Sequence, residues 1–239
     1  MRVSDHLVAS YLRHPTHGPL PAILLALTVT TGVVDAVSIL GLGRVFVANM
    51  TGNVVFIGFA LAGAPGFSLW GSVVALAAFL GGAMLGGRAV ARWGGHRGRL
   101  IRDAVAVMVV VSIGALVAAP WVSVFAVSLV VLALLAVGLG VQNAVVRFLA
   151  VPDLTTTVLT MTLTGIGADL RKRDVATVVR RMSAVVAMLV GAAVGASLVL
   201  SAGLTAGLTT VLVLSVLTLV PAVVGARSTA VWTCSSRAG

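Results

Sequence analysis

Glutamate is absent from this 239-residue chain, which also has only six aspartates, one lysine, one cysteine and one tyrosine. Charged residues make up 9% of the sequence, whereas a soluble domain carries about a quarter. Hydrophobic residues reach 59%, which excludes most classes of soluble protein. The single cysteine, Cys234, rules out an intrachain disulfide. The composition therefore indicates an integral membrane protein.

The basic residues fall in short runs between apolar stretches. They give a net charge of +10, which in a soluble protein would suggest nucleic acid as a partner. Their placement favours the lipid bilayer instead, and no nucleic acid partner is expected. The first apolar stretch begins after Pro19 and is not followed by a small-residue cleavage site, so we expect no signal peptide.

Hydropathy divides the chain into eight apolar stretches, at residues 20–43, 45–64, 67–91, 102–119, 121–149, 154–170, 178–202 and 205–225. Short cytoplasmic loops collect Lys and Arg. If all eight stretches crossed the membrane, 9 of the 16 basic residues would lie inside. If the second and sixth left by the side they entered, 15 of the 16 would lie inside, all except Arg44. We therefore predict six transmembrane helices plus two re-entrant half-helices, with both termini cytoplasmic.

Both re-entrant stretches are polar in their first halves, through Asn49, Thr51, Asn53, Thr157, Thr160 and Thr162. Such side chains favour helix N-termini. Two half-helix N-termini meeting near the middle of the bilayer would carry partial positive charge, which suits an anion or a neutral polar solute. The alternative is that these side chains only cap their own helices.

The two halves of the chain resemble each other at a separation of 108–109 residues. Residues 32–37 lie over 140–145, and 82–86 lie over 191–195. Each half would hold three crossings, and an odd number inverts the second half, as in many secondary transporters. We predict an all-α integral membrane protein built as an inverted 3+3 repeat. Its parts are an N-terminal segment (1–19), two repeats (20–120 and 121–225) and a polar tail (226–239).

Small residues and one carboxylate stand out within the apolar stretches. The pairs Gly82…Gly86 and Gly191…Gly195 predict close helix packing, and they leave a homo-oligomer open. Asp35 is the one carboxylate well inside a stretch, where an ionisable group is a functional candidate. It could be a protonatable or cation-pairing group coupled to a substrate. It could instead be a packing anchor, hydrogen-bonded to Thr or Asn on a facing segment.

The motifs at residues 32–36 and 45–53 resemble the YoaK-like family of bacterial multi-pass membrane proteins. The motifs at 140–144 and 155–160 are similar to that family too, so the resemblance covers about residues 20–225. It implies a protein of the bacterial cell (inner) membrane. The family has no settled activity and is sometimes labelled a transporter.

We expect a secondary transporter or permease for a small polar or anionic solute, with a midplane site and proton coupling through Asp35. The repeat places Asn143, beside Gln142, in the position that matches Asp35. The candidate substrate-binding residues are Asp35, Asn49, Thr51, Asn53, Asn143, Thr157, Thr160 and Thr162. A non-transporting scaffold or sensor, or a passive channel, is the alternative.

An enzyme is not expected, and neither a cofactor nor a metal site is predicted. The four histidines lie outside the apolar stretches and the cysteine lies in the tail, so no metal cluster or nucleophile–base pair can form at membrane depth.

Overall fold

A computed structural model describes residues 11, 14, 16–152, 154, 163–165 and 175–234. Helices dominate this part of the chain. The α-helices are α1 (Leu20–Gly41), α2 (Met50–Leu61), α3 (Leu69–Trp93), α4 (Arg97–Ala118), α5 (Phe125–Leu149), α6 (Val175–Ala202) and α7 (Leu204–Arg227). Short 3-10 turns lie at Ala119–Trp121 and Val231–Thr233.

Local sequence sets several of the helix boundaries. The side chain of Asn49 accepts a hydrogen bond from the Gly52 N–H (3.3 Å) at the start of α2. Ser68 does the same for the Gly71 N–H (3.0 Å) at the start of α3. Both bonds satisfy backbone donors that a helix N-terminus leaves unpaired. Gly203 separates α6 from α7 with a φ of 84°, a conformation that favours glycine.

Six of these helices, all except α2, are long and apolar enough to cross a membrane. For the part of the chain that the structure describes, this confirms the predicted all-helical fold with six candidate membrane-spanning helices. The 12 residues of α2 rise about 18 Å, which is well short of the ~30 Å hydrocarbon core. Of the second predicted re-entrant stretch, 154–170, only residues 154 and 163–165 are described.

Close glycine contacts hold two helix pairs together, α1 with α6 and α3 with α5. Gly32 of α1 lies against the Met188 carbonyl of α6, and Gly140 of α5 lies against the Phe79 carbonyl of α3. The corresponding positions in the two interfaces are 108 or 109 residues apart. The glycines of both predicted packing pairs also face the partner helix backbone, which confirms their packing role: Gly82, Gly86, Gly191 and Gly195.

The same contacts give the relative directions of the helices. Val29 faces Gly191 and Val33 faces Gly195, so α1 and α6 run parallel. Gly98, near the start of α4, lies against the Gly225 carbonyl near the end of α7, so α4 and α7 run antiparallel.

The centre of the bundle is occupied mainly by α1, α4 and α5. Buried leucines and a methionine of these helices form its core, for example Leu24, Met108 and Leu135. The outer helices α3 and α6 expose large apolar side chains such as Leu80 and Leu189, as helices that face lipid do. Because α1 is the most enclosed spanning helix, polar groups on it lie inside the protein.

Candidate functional site

One face of α1 carries a stripe of buried polar residues, at Thr28, Thr31, Asp35 and Ser38. Their spacing of three and four residues puts them on one side of the helix. The hydroxyls of Thr28 and Thr31 donate to carbonyls one turn earlier (both 2.8 Å). Asp35 is the member of the stripe that carries a carboxylate.

Asp35 is 7% exposed, and its carboxylate is held by the backbone that precedes α2. Its Oδ1 accepts hydrogen bonds from the N–H groups of Val47 (3.4 Å) and Ala48 (3.3 Å). The sequence suggested Thr or Asn side chains as structural partners, and the structure gives backbone donors instead. Among the described residues, Asp35 has no ion-pair partner.

Asn53 is fully buried and holds the same connecting segment in place. Its Nδ2 donates to the Phe46 carbonyl (2.6 Å) and its Oδ1 accepts from the Phe46 N–H (3.0 Å). Asn49 caps α2 and is exposed, and so is Thr51. Of the predicted binding residues in this segment, Asn53 is therefore committed to the backbone, and Asn49 and Thr51 lie at the surface.

The residues that match Asp35 in the second half lie on α5. Asn143 Nδ2 donates to the Leu139 carbonyl (3.0 Å). The neighbouring Gln142 is buried, and its Nε2 lies 3.4 Å from the Thr31 hydroxyl. Gln142 thus joins the polar stripe of α1. The predicted residues Thr157, Thr160 and Thr162 lie outside the described residues.

An open cavity of about 580 Å³ lies beside Asp35, between α1, α6 and the α2 region; we call it the Asp35 cavity. The short helix α2 packs on α3, whereas α6 packs on α1. The lining of the cavity is mostly apolar, and its two ionisable side chains are Asp35 and Arg44. The other lining residues are Ala36, Ile39, Leu40, Phe46, Phe56, Phe67, Met188, Ala192 and Ala196.

Three phenylalanine rings line one wall of the Asp35 cavity. The rings of Phe46 and Phe56 are stacked with centroids 5.5 Å apart, and Phe56 and Phe67 lie 5.0 Å apart. Sequence reasoning did not identify these residues, because they are widely spaced in an apolar segment. Arg44 lines the same cavity as an exposed side chain.

At the other end of α1, Arg97 joins separate parts of the chain. Its guanidinium donates to the carbonyls of Leu149 (2.7 Å), Thr16 (3.3 Å) and Trp232 (3.4 Å). It also contacts His17 Nδ1 (3.0 Å). Burial and the charge of Arg97 lower the pKa of His17 to about 4. We call these five residues the Arg97 cluster, and they join the segments that meet at this end of α1.

Comparison with known proteins finds two matches. A family model described as "Protein of unknown function (DUF1275)" matches residues 23–221. The "UPF0700 transmembrane protein YoaK" of Bacillus subtilis (strain 168) is 28% identical over 182 residues, which cover 71% of this chain and 80% of that protein. These matches confirm the resemblance to the YoaK-like family. No solved structure shows a significant match.

Proposed function

We propose a function for this chain, which belongs to the DUF1275 family of proteins of unknown function. In this proposal it is a secondary transporter or permease, and its binding site is the Asp35 cavity. One observation carries the proposal. A buried carboxylate, unpaired by any cation in the described part of the chain, borders a cavity of about 580 Å³. Small-molecule sites have volumes of about 300–1,000 Å³, and intramembrane carboxylates mark substrate and proton pathways.

We infer that α2 is a re-entrant half-helix. It is too short to span, and the chain before it contacts the chain after it: Val45 packs beside Gly71, and the Arg44 guanidinium lies beside Gly66. The helix directions support the same inference. Helix α7 runs opposite to α6, and therefore to α1, because a tight turn joins α6 to α7 and α1 is parallel to α6. Helix α4 is antiparallel to α7, and a tight turn joins it to α3, so α3 runs opposite to α1. Two successive crossings in opposite directions leave no crossing for α2 between them.

The inverted 3+3 repeat is part of the proposal. It is supported by the glycine contacts that recur 108 or 109 residues apart, with α1 on α6 matching α5 on α3. Related halves that pack on each other in this way are typical of transporters that rock around a central site.

The same proposal places the protein in a bacterial inner membrane with both termini cytoplasmic. Cysteine labelling tests this placement after Cys234 is replaced by Ala. Cysteines introduced at residues 64–66 should react with an impermeant reagent in intact cells, and those at 95–98 only after permeabilisation. Labelling at 95–98 in intact cells would instead support eight crossings.

We favour a carrier over a passive channel, because the Asp35 cavity lies near one end of α1 while the Arg97 cluster ties together the chain segments at the other. Alternating access requires the two sides of a carrier to differ. We assign no enzymatic step and no cofactor to this site.

Transport can be tested in proteoliposomes with solutes of three charge classes: benzyltrimethylammonium, benzylsulfonate and glycerol. We expect saturable uptake and counterflow of at least one. Asp35→Asn should abolish this uptake, while Asp103→Asn should retain it, because Asp103 is outside the cavity and paired with Arg102 (2.6 Å). Uptake of none of the three would favour a scaffold or sensor. Uptake without saturation or counterflow would favour a channel.

A further inference from the structure

The Asp35 cavity points to a particular class of solute, and we infer that it binds a small organic cation with an apolar body, in exchange for a proton. This inference rests on the proposed transport function and narrows its substrate. The sequence alone favoured an anionic or neutral polar solute, because it placed helix N-termini at the site. The described contacts reverse that preference.

The two backbone donors beside Asp35 that would attract an anion are already occupied. The N–H groups of Val47 and Ala48, which precede α2, both donate to Asp35 Oδ1. An anion at this point would meet a carboxylate instead of free donors. In a site of low dielectric constant, repulsion between two like charges is strong.

A cation would complete the charge balance of the site. A buried carboxylate is costly unless it is paired or protonated. Within the described residues, Oδ2 of Asp35 accepts no hydrogen bond, and the residue lines the cavity. An ammonium group and a proton are therefore alternative ways to neutralise the same carboxylate, and binding of one releases the other.

The remaining walls fit the body of such a cation. The rings of Phe46, Phe56 and Phe67 line the cavity, and aromatic faces attract cations, quaternary ammonium groups in particular. Ile39 and Met188 add apolar surface on neighbouring walls. A strongly hydrated inorganic cation would gain little from these walls, whereas an apolar ammonium ion would be desolvated favourably.

Arg44 provides a test of the sign of the charge. It is the other ionisable side chain that lines the cavity, and it is exposed. A bound cation is repelled by this guanidinium, whereas an anion or a zwitterion would need it. Arg44→Gln should consequently strengthen the binding of a cation and weaken the binding of an anion.

The experiment is calorimetric titration of the purified full-length protein with benzyltrimethylammonium and, as an anion of similar shape, benzylsulfonate. We expect Asp35→Asn to weaken cation binding at least about tenfold and Arg44→Gln to strengthen it about twofold. Asp103→Asn is the matched control and should leave the affinity unchanged. Asp35-independent cation binding, or benzylsulfonate binding that is lost in Arg44→Gln, would overturn the inference.

A second measurement needs no variant at Asp35, in case Asp35→Asn fails to fold. In the wild-type protein, lowering the pH should weaken benzyltrimethylammonium binding, because a proton competes at Asp35 while Arg44 keeps its charge. Affinity that is unchanged or rises at low pH would refute the exchange. Asp35-dependent cation binding without uptake would support a cation as the ligand and refute transport. Saturable uptake of benzylsulfonate or glycerol alone would support transport and refute a cation as the solute.

Discussion

Replacement of Asn53 by Ala tests whether this predicted binding residue instead holds the segment that shapes the cavity. Asn53 is fully buried and forms two hydrogen bonds to the backbone of Phe46, of 2.6 and 3.0 Å. Each neutral hydrogen bond contributes about 0.5–1.5 kcal/mol, and an unsatisfied buried group costs about 1–3 kcal/mol. We expect Asn53→Ala to lower the free energy of unfolding by about 2–3 kcal/mol. The loss is not larger because Phe46 is half-buried, so water can reach part of the backbone that Asn53 leaves unpaired.

The assay is thermal unfolding in detergent, with two control variants from the same helix. A loss of this size corresponds to a fall of roughly 4–12 °C in the melting temperature. Asn49→Ala removes an exposed cap and should cost about 1 kcal/mol, and Thr51→Ala should stay within about 0.5 kcal/mol of wild type. The reasoning is refuted if Asn53→Ala melts like Thr51→Ala, and wild-type stability with lost uptake would show that Asn53 acts on the solute.

Three further predictions concern packing and the Arg97 cluster. Gly82→Ala should destabilise the protein by about 1–3 kcal/mol, because its Cβ would meet the Val137 backbone, whereas the neighbouring Gly81→Ala enters open space and should not; equal melting temperatures would contradict the glycine contact. The pKa of His17 is lowered from 6.5 to about 4, so the folded protein binds this proton less readily than the unfolded chain. Stability should therefore fall as the pH drops from 6.5 to 4, by about 1 kcal/mol after solvent screening, and pH-dependent melting of His17→Gln should show a smaller fall. Arg97→Gln should cost about 1–3 kcal/mol through lost contacts to carbonyls, and an unchanged melting curve would show that the cluster does not stabilise this end.

Features set by composition and length could be predicted from the sequence. Six long apolar helices follow from the apolar stretches, since every backbone polar group in lipid must be paired within the protein. Asp35 could be identified because a carboxylate well inside an apolar stretch is rare. The glycine pairs predicted close packing, and the facing backbones at Gly82 and Gly191 confirm it.

The partners of these residues could not be predicted. Val47 and Ala48 bind Asp35 through backbone N–H groups, which no side-chain pattern reveals. Asn49 and Asn53 look alike in the sequence, but one caps a helix while the other bonds back across seven residues to Phe46. The distances from Asp35 and Asn53 to these backbone groups depend on how the segment between α1 and α2 folds. Many different sequences can follow the same backbone path, so the sequence does not reveal it.

The Arg97 cluster brings the two ends of the described chain together. Trp232 packs beside Gly18. The backbone of Cys234 pairs with that of His96, in the turn between α3 and α4, as an isolated antiparallel β-bridge. The segment before α1 and the segment after α7 are therefore both bound to one guanidinium, so a change that displaces either segment would also weaken the attachment of the other.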